Sequence, residues 1–283
     1  MKKETLSALI FLATITLITA PLIILTSGAA TDNFSANVTV GNNAPTIDFV
    51  VNGSDSPNGA TTKTIYINFT VTDENGVLDL VTVSSFVNIT RAGEATRTST
   101  DCWSTSNVSN TQNITCQLDI LYYDEPGAWN ICAYVTDGTD SDSDCTTADF
   151  TMGNTDDVDI IETALSFSGN AGDTNIGATE NPLVVNNTGN RVYSGIDLTA
   201  YNLTGGADTI GATAFTVNVT DGSGQGQALA HSSPVTITSA SIAKAEAAGS
   251  ASEDLYFYLD IPTGIAATDY NTGGTPWMID PTI

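Results

Sequence analysis

Basic residues are scarce. Seven Lys and Arg stand against 32 Asp and Glu, a formal net charge of −25. Such a chain repels nucleic acid and anionic headgroups. It has no basic patch, phosphate loop or haem-attachment motif, which argues against nucleic acid, nucleotide and haem as partners. Histidine is nearly absent too. His231 stands alone in Ala228–Ser233, and no G-x-S-x-G elbow accompanies it, so a Ser-His-Asp site is not expected. The many acids make carboxylate pairs at every spacing, so spacing singles out no glycosidase pair. No helical period rises above the background. After Leu25 no apolar run reaches membrane-spanning length, and the last residues, Trp277–Ile283, read as no anchor. The chain is expected to be non-catalytic.

What is present is strand and turn chemistry. Of the acids, 24 are Asp and 8 Glu, a choice that favours loops and strands over helices. Tyr122–Asp137, YYDEPGAWNICAYVTD, is the most informative stretch. Asp124-Glu125-Pro126-Gly127 is a tight corner, because Pro fixes φ and Gly tolerates positive φ. Trp129, Ile131, Ala133 and Val135 then alternate with Asn130, Cys132, Tyr134 and Thr136, the period of a strand with one face inward.

The start of the chain reads as an export segment. Lys2 and Lys3 precede the apolar run Leu6–Leu25, and Gly28-Ala29-Ala30 offers small residues for cleavage. The run exceeds an ordinary signal core and just reaches spanning length. Residues 1–30 are therefore a cleaved signal peptide or a retained membrane anchor, and either places the remainder outside the cytoplasm. The four cysteines agree with export. Strand parity points Cys116 inward with Ile114, Leu118 and Ile120, and points Cys132 outward. Cys102–Cys116 and Cys132–Cys145 are the pairs expected. A four-thiolate zinc site lacks its C-x₂-C spacing. Ten sequons follow the same theme: Asn33, Asn37, Asn52, Asn68, Asn88, Asn107, Asn113, Asn186, Asn202 and Asn218. Asn68 and Asn218 lie on the polar sides of their strands, where they would face solvent and accept glycan.

Two all-β domains are expected after a polar lead-in, residues 31–43, that holds a short alternating piece at Val38 and Val40. Domain one, residues 44–151, has strands at Thr46–Val51, Lys63–Thr72, Leu80–Thr90, Asn113–Leu121, Gly127–Thr136 and Cys145–Thr151, with a short one at Ala95–Ser99. Seven short strands between Gly, Asn and Asp clusters are the signature of an Ig-like antiparallel β-sandwich. Residues 152–157 form a polar linker. Domain two, residues 158–283, has strands at Ile160–Ser168, Leu183–Asn186, Ser194–Leu203, Ala214–Thr220, Val235–Ile242, Asp254–Ile261 and Gly274–Ile279. Its Ala-rich stretch Ser241–Ser252 has room for one or two helical turns.

These residues carry a family resemblance. NNAPTIDFVVNG, YINFTVTDENGVLDL, GEATRTSTDC and YYDEPGAWNICAYVTD resemble the Ig-like modules of secreted archaeal surface proteins, and also polycystic-kidney-disease-type domains. NPLVVNNTGN and EDLYFYLDIPTG are similar to the turn and late strand of archaeal cell-surface sandwiches. The resemblance implies structural, adhesive or ligand-binding modules and carries over no catalytic residues.

Calcium is the one cofactor the residues suggest. Asp140-x-Asp142-x-Asp144, with Asp137, sets carboxylates on alternate positions, although the Gly and Glu of an EF-hand loop are missing. Asp73, Glu74, Asn75 and Asp79 form a second acidic group that a turn also explains. Trp129 is expected in the core. Trp103 is placed in a polar loop, packed on the disulfide or exposed for sugar stacking. Tyr256 and Tyr258 share the outer parity of their strand and suggest an interaction surface. The function expected is an extracellular structural or adhesion component of an archaeal cell surface. Its alternatives are a filament or S-layer subunit assembling by strand addition through Ala36–Val40 or Thr275–Ile279, and a secreted carbohydrate-binding module. Its partners would be other surface proteins, copies of itself or glycans, with membrane contact only through an uncleaved N-terminal segment.

Overall fold

A computed structural model describes residues 34–50, 53–222 and 226–283. Residues 1–30, expected as an export segment, and the sequons Asn33 and Asn52 lie outside the described residues. Contacts separate Met1–Gly41 from a compact unit, Asn42–Ile283. Phe34–Gly41 has no regular secondary structure, and Phe34, Val38 and Val40 are 91%, 83% and 77% exposed. The compact unit is all-β and holds two hydrophobic cores. Helix among the described residues is limited to two short 3₁₀ turns, Thr82–Ser84 and Ala212–Ala214.

Sandwich one has nine strands: β1 Thr46–Val50, β2 Gly53–Asp55, β3 Thr62–Thr72, β4 Phe86–Thr90, β5 Arg97–Ser99, β6 Cys102–Val108, β7 Thr111–Leu121, β8 Gly127–Thr136 and β9 Ser141–Met152. One sheet runs β1-β3-β7-β6 and the other β2-β9-β8-β4-β5. All pairings are antiparallel except β2 with β9. Numbered through the immunoglobulin scheme, this is A-B-E-D facing A′-G-F-C-C′. β3 shows why these residues make strands. Ile65, Ile67, Phe69 and Val71 are buried while Tyr66 and Asn68 are exposed, and β-branched and aromatic residues suit a pleated surface with one buried face. Opposite them lie Trp129, Ile131, Ala133 and Val135 of β8, all at most 1% exposed. Trp129 Nε1 donates to the Glu125 carbonyl at 2.9 Å, so the largest core side chain leaves no buried donor unpaired.

The two disulfides join Cys102 to Cys116 and Cys132 to Cys145. Each pair is directly opposed in its ladder, β6 against β7 and β8 against β9. Each bridge therefore staples neighbouring strands within one sheet, whereas antibody domains bridge their two sheets. Cys116 is fully buried and Cys132 lies on the half-buried outer side of β8, as strand parity requires. The Cys132–Cys145 hairpin turns at Gly138, whose φ of +91° is a conformation glycine adopts without Cβ strain.

Sandwich two is built from shorter pieces: β10 Val158–Ile160, β11 Ile176–Gly177, β12 Leu183–Asn187, β13 Gly195–Thr199, β14 Leu203–Gly205, β15 Asp208–Ile210, β16 Phe215–Asn218, β17 Gln227–Ala228, β18 Val235–Ile237, β19 Ser252–Leu259 and β20 Met278–Thr282. Its main sheet runs β10-β12-β19-β16-β17, with β11 also on β19, and β18-β13-β20 forms the second layer. The expected strands Ile160–Ser168, Ser194–Leu203 and Val235–Ile242 are longer than those formed. The Ala-rich stretch makes no helix; Ile242 bridges Tyr193, and Ala240, Ile242 and Ala245 go into the core.

Peptide mapping without reductant should recover the 102–116 and 132–145 pairs. Replacing both Cys132 and Cys145 by Ser should lower stability by roughly 3 kcal/mol, the chain-entropy value for a loop of that size, read from urea denaturation.

Candidate functional site

The corner Tyr122–Gly127 was expected to mark the fold of sandwich one, and the structure gives it a second job. Asp124 is fully buried, and its carboxylate pairs with Arg97 of β5, whose Nε donates at 2.9 and 3.1 Å and whose Nη2 also donates to it. The same carboxylate accepts the Leu121 N–H at 2.8 Å. Burial alone would lower the Arg97 pKa, but the hydrogen bond and charge of Asp124 outweigh it and raise it. The Arg97 guanidinium also lies over the Tyr123 ring, 5.7 Å from its centroid.

From this pair, contacts run into sandwich two. Tyr122 packs in the second hydrophobic core, and its hydroxyl oxygen accepts the Gly249 N–H at 2.9 Å. Asn190, fully buried in the NNTGN turn, donates to the carbonyls of Asp124 and Gly153. Lys244 donates to the Tyr123 carbonyl at 3.0 Å and lies 3.7 to 3.8 Å from Glu94 and Glu125. Residues 152–157, expected as a simple linker, are tied on both sides. The Gly153 N–H goes to Asp55 O, Thr155 Oγ1 to Pro57 O and the Thr155 N–H to Asn190 Oδ1. Asp157 N–H and the Tyr193 hydroxyl meet at 2.8 Å. Burial raises the Tyr193 pKa, which keeps that hydroxyl neutral.

In the acidic hairpin three of the four carboxylates accept hydrogen bonds. Asp137 Oδ1 accepts the N–H groups of Thr139 and Asp140, the chemistry of an Asx turn. Its Oδ2 and Asp140 Oδ2 share the Asn42 amide, while Asp142 turns to the Ile47 and Ser143 N–H groups. Among the described residues no group of three or more His, Cys, Asp or Glu is placed to hold a metal ion. The hydrogen bonds from Asp140, Asn42 and Thr139 hold the Asp137 carboxyl below its usual pKa, so its contribution is present above about pH 4 and fades on acidification.

Two further sites, Trp103 and the pair Tyr256 and Tyr258, move from their expected places. Trp103 lies on β6, 39% exposed, edge-on to the exposed Tyr66 at 6.2 Å. Tyr256 is half-buried and Tyr258 is buried, because the turn at Asp221-Gly222 folds over it and hydrogen-bonds its hydroxyl. His231 is exposed and its Nδ1 accepts the Asn202 N–H. Of the sequons, Asn37, Asn68, Asn107 and Asn113 are exposed, and the last three share one sheet of sandwich one. Asn88, Asn186, Asn202 and Asn218 are half-buried.

Sandwich two also contains an apolar cleft of about 450 Å³, lined in part by Phe167, Leu198, Phe215, Phe257, Trp277 and Ile279. It borders β20, the end strand of its layer. Thr282 O accepts the Ser194 N–H, so by the two-residue alternation Ile279 and Pro281 turn their backbone groups to the open edge. Pro281, having no N–H, is the kind of residue an edge tolerates.

No family model and no characterised protein sequence matches this chain. Among solved structures it is similar to a titin Ig tandem, at 12% identity and a TM-score of 0.30, covering 86% of this chain and 97% of that one. An I-band fragment of titin follows at 12% identity and a TM-score of 0.24, covering 86% and 65%. At these scores the superpositions carry no argument, and the Ig-like architecture rests on the strand order.

Asp124→Asn should destabilise the protein by about 3–5 kcal/mol, the cost of leaving a buried guanidinium without its partner, measured by urea denaturation. Lys244→Met should cost less than Asp124→Asn, because the Lys244 ion pairs are longer, at 3.4 to 3.8 Å, than the direct Arg97–Asp124 hydrogen bonds.

Proposed function

We propose that the chain is a non-catalytic structural component of an archaeal cell surface: two disulfide-stapled sandwiches held by a charged clasp, with an acidic, glycan-bearing exterior. The observation that carries this reading is the clasp. A buried Arg–Asp pair, a buried asparagine and a tyrosine seated in the neighbouring core spend polar groups on fixing one module against the next. Mechanical continuity between modules is what a structural surface component needs. The export segment and paired cysteines support the compartment, and the family resemblance supports the source.

A second reading, assembly by strand addition, is favoured by one feature. Phe34, Ala36, Val38 and Val40 alternate with polar residues and are all exposed, as a donor strand for a neighbouring molecule would be. The open edge of β20 beside the apolar cleft offers an acceptor.

Proteolysis of intact cells should remove the protein, and glycopeptide mass spectrometry should find sugar on Asn37, Asn68, Asn107 or Asn113 before the half-buried sequons. Recovery of the chain from the cytoplasm with reduced cysteines would sink the surface assignment. For strand addition, Val38→Asp with Val40→Asp should abolish any assemblies seen by negative stain and sedimentation; assemblies that survive it rule out the N-terminal donor.

A further inference from the structure

Among the described residues two aspartates are completely buried, Asp73 and Asp124. Asp124 is neutralised by Arg97. Asp73, at the end of β3, has no such partner. Its Oδ1 accepts the Asn75 N–H at 2.8 Å, and its Oδ2 is buried with no hydrogen bond. Along the same turn, Asp79 Oδ1 is also buried and unpaired. Burial raises the Asp73 pKa, and the charges of Asp79, Asp137 and Glu74 push the same way.

The protein's own cations are committed elsewhere. Lys63 pairs with Asp55, Arg91 with the Pro126 carbonyl, Arg97 with Asp124, Arg191 with Asp156 and Lys244 with Glu94, Glu125 and Glu246. Those five are all the Lys and Arg of the described residues. A buried carboxylate oxygen left without donor or cation is costly. A dissolved cation, a water molecule or a proton can satisfy those oxygens.

We propose that the turn Asp73–Asp79, beside the lead-in Asn42-Asn43, is a calcium site in which the orphaned oxygens of Asp73 and Asp79 are the protein's charged ligands. Calcium suits it because it accepts six to eight oxygens in a flexible geometry, and two carboxylates can be completed by amide or backbone oxygens and water. Asn75 Oδ1, which takes the Asn43 N–H at 2.6 Å, lies in the same turn. The cation would secure the loop on which sandwich one begins. This site is distinct from the Asp137–Asp144 hairpin, whose Asp137, Asp140 and Asp142 carboxylates accept hydrogen bonds from Asn42 and from backbone N–H groups.

Thermal denaturation of the full chain, with calcium chloride against chelator, tests the site. A hundredfold excess over Kd should raise Tm by about 5–10 °C. Asp73→Asn and Asp79→Asn should each melt higher than wild type in chelator, because a buried charge is gone, and should lose most of the calcium shift. Asp142→Asn, on the hairpin, should keep it. Calorimetric titration should show a single saturable site absent from Asp73→Asn. An unshifted wild type, or an equal shift in both the Asp73 and Asp79 variants, overturns the proposal, since the ion would then only screen surface charge.

Discussion

The ion pair between Asp124 and Arg97 is the constraint on which the arrangement depends. It sits where the β7–β8 corner must close tightly, and its carboxylate simultaneously takes the Leu121 N–H that the corner leaves over. A buried pair of this kind is seldom worth much against an apolar replacement. Its value here is positional. By fixing Tyr122 and Tyr123 on their sides of the corner, it presents one ring to the second core and one carbonyl to Lys244. The corner can serve both sandwiches only while the charge is compensated.

Scarcity of cations gives that placement its meaning. Arg91, Arg97 and Lys244 all reach the segment Tyr123–Pro126, and Arg191 pairs with Asp156 in the connecting segment. A chain with so few positive side chains concentrates them at the joint between modules and leaves the outer surface acidic. The acidic surface keeps molecules apart at long range, while the joint is held at short range, where salt screens least.

Much of sandwich one was legible because its long strands have one wet and one dry face. β3 and β8 alternate without interruption, so parity placed Trp129 inside and Cys132 outside. β6 was missed for the opposite reason. In Cys102–Val108 only the cysteine is buried, so an edge strand exposed on both faces leaves no period to read. β2 has three residues and pairs in parallel with β9, and sandwich two is made largely of such fragments. The clasp was illegible because its partners are distant: Tyr122 meets a residue 127 positions away, and Lys244 one 121 positions away. One signal existed. Lys244 is the only Lys or Arg after Arg191, and a lone cation in an Ala-rich stretch of so acidic a chain has reason to be there. Alternate carboxylates at Asp140–Asp144 could not be read from spacing alone, which does not distinguish acids that converge on an ion from acids that accept N–H groups.

The two buried aspartates put the same problem at two ends of one sandwich. Each terminates a strand of the same sheet, Asp73 after β3 and Asp124 after β7, and each binds an N–H of its own turn. At the Asp124 end the fold places a guanidinium on a neighbouring strand, and the charge becomes a fixed part of the joint whatever the medium. At the Asp73 end no cation of the described chain is within reach, so the state of that turn follows the composition of the surroundings. One end of sandwich one is therefore neutralised from within the sequence, and the other is the end at which a dissolved cation is proposed to act. A protein exported into a medium it does not regulate would have its inter-module joint at the insensitive end, which is where the clasp lies.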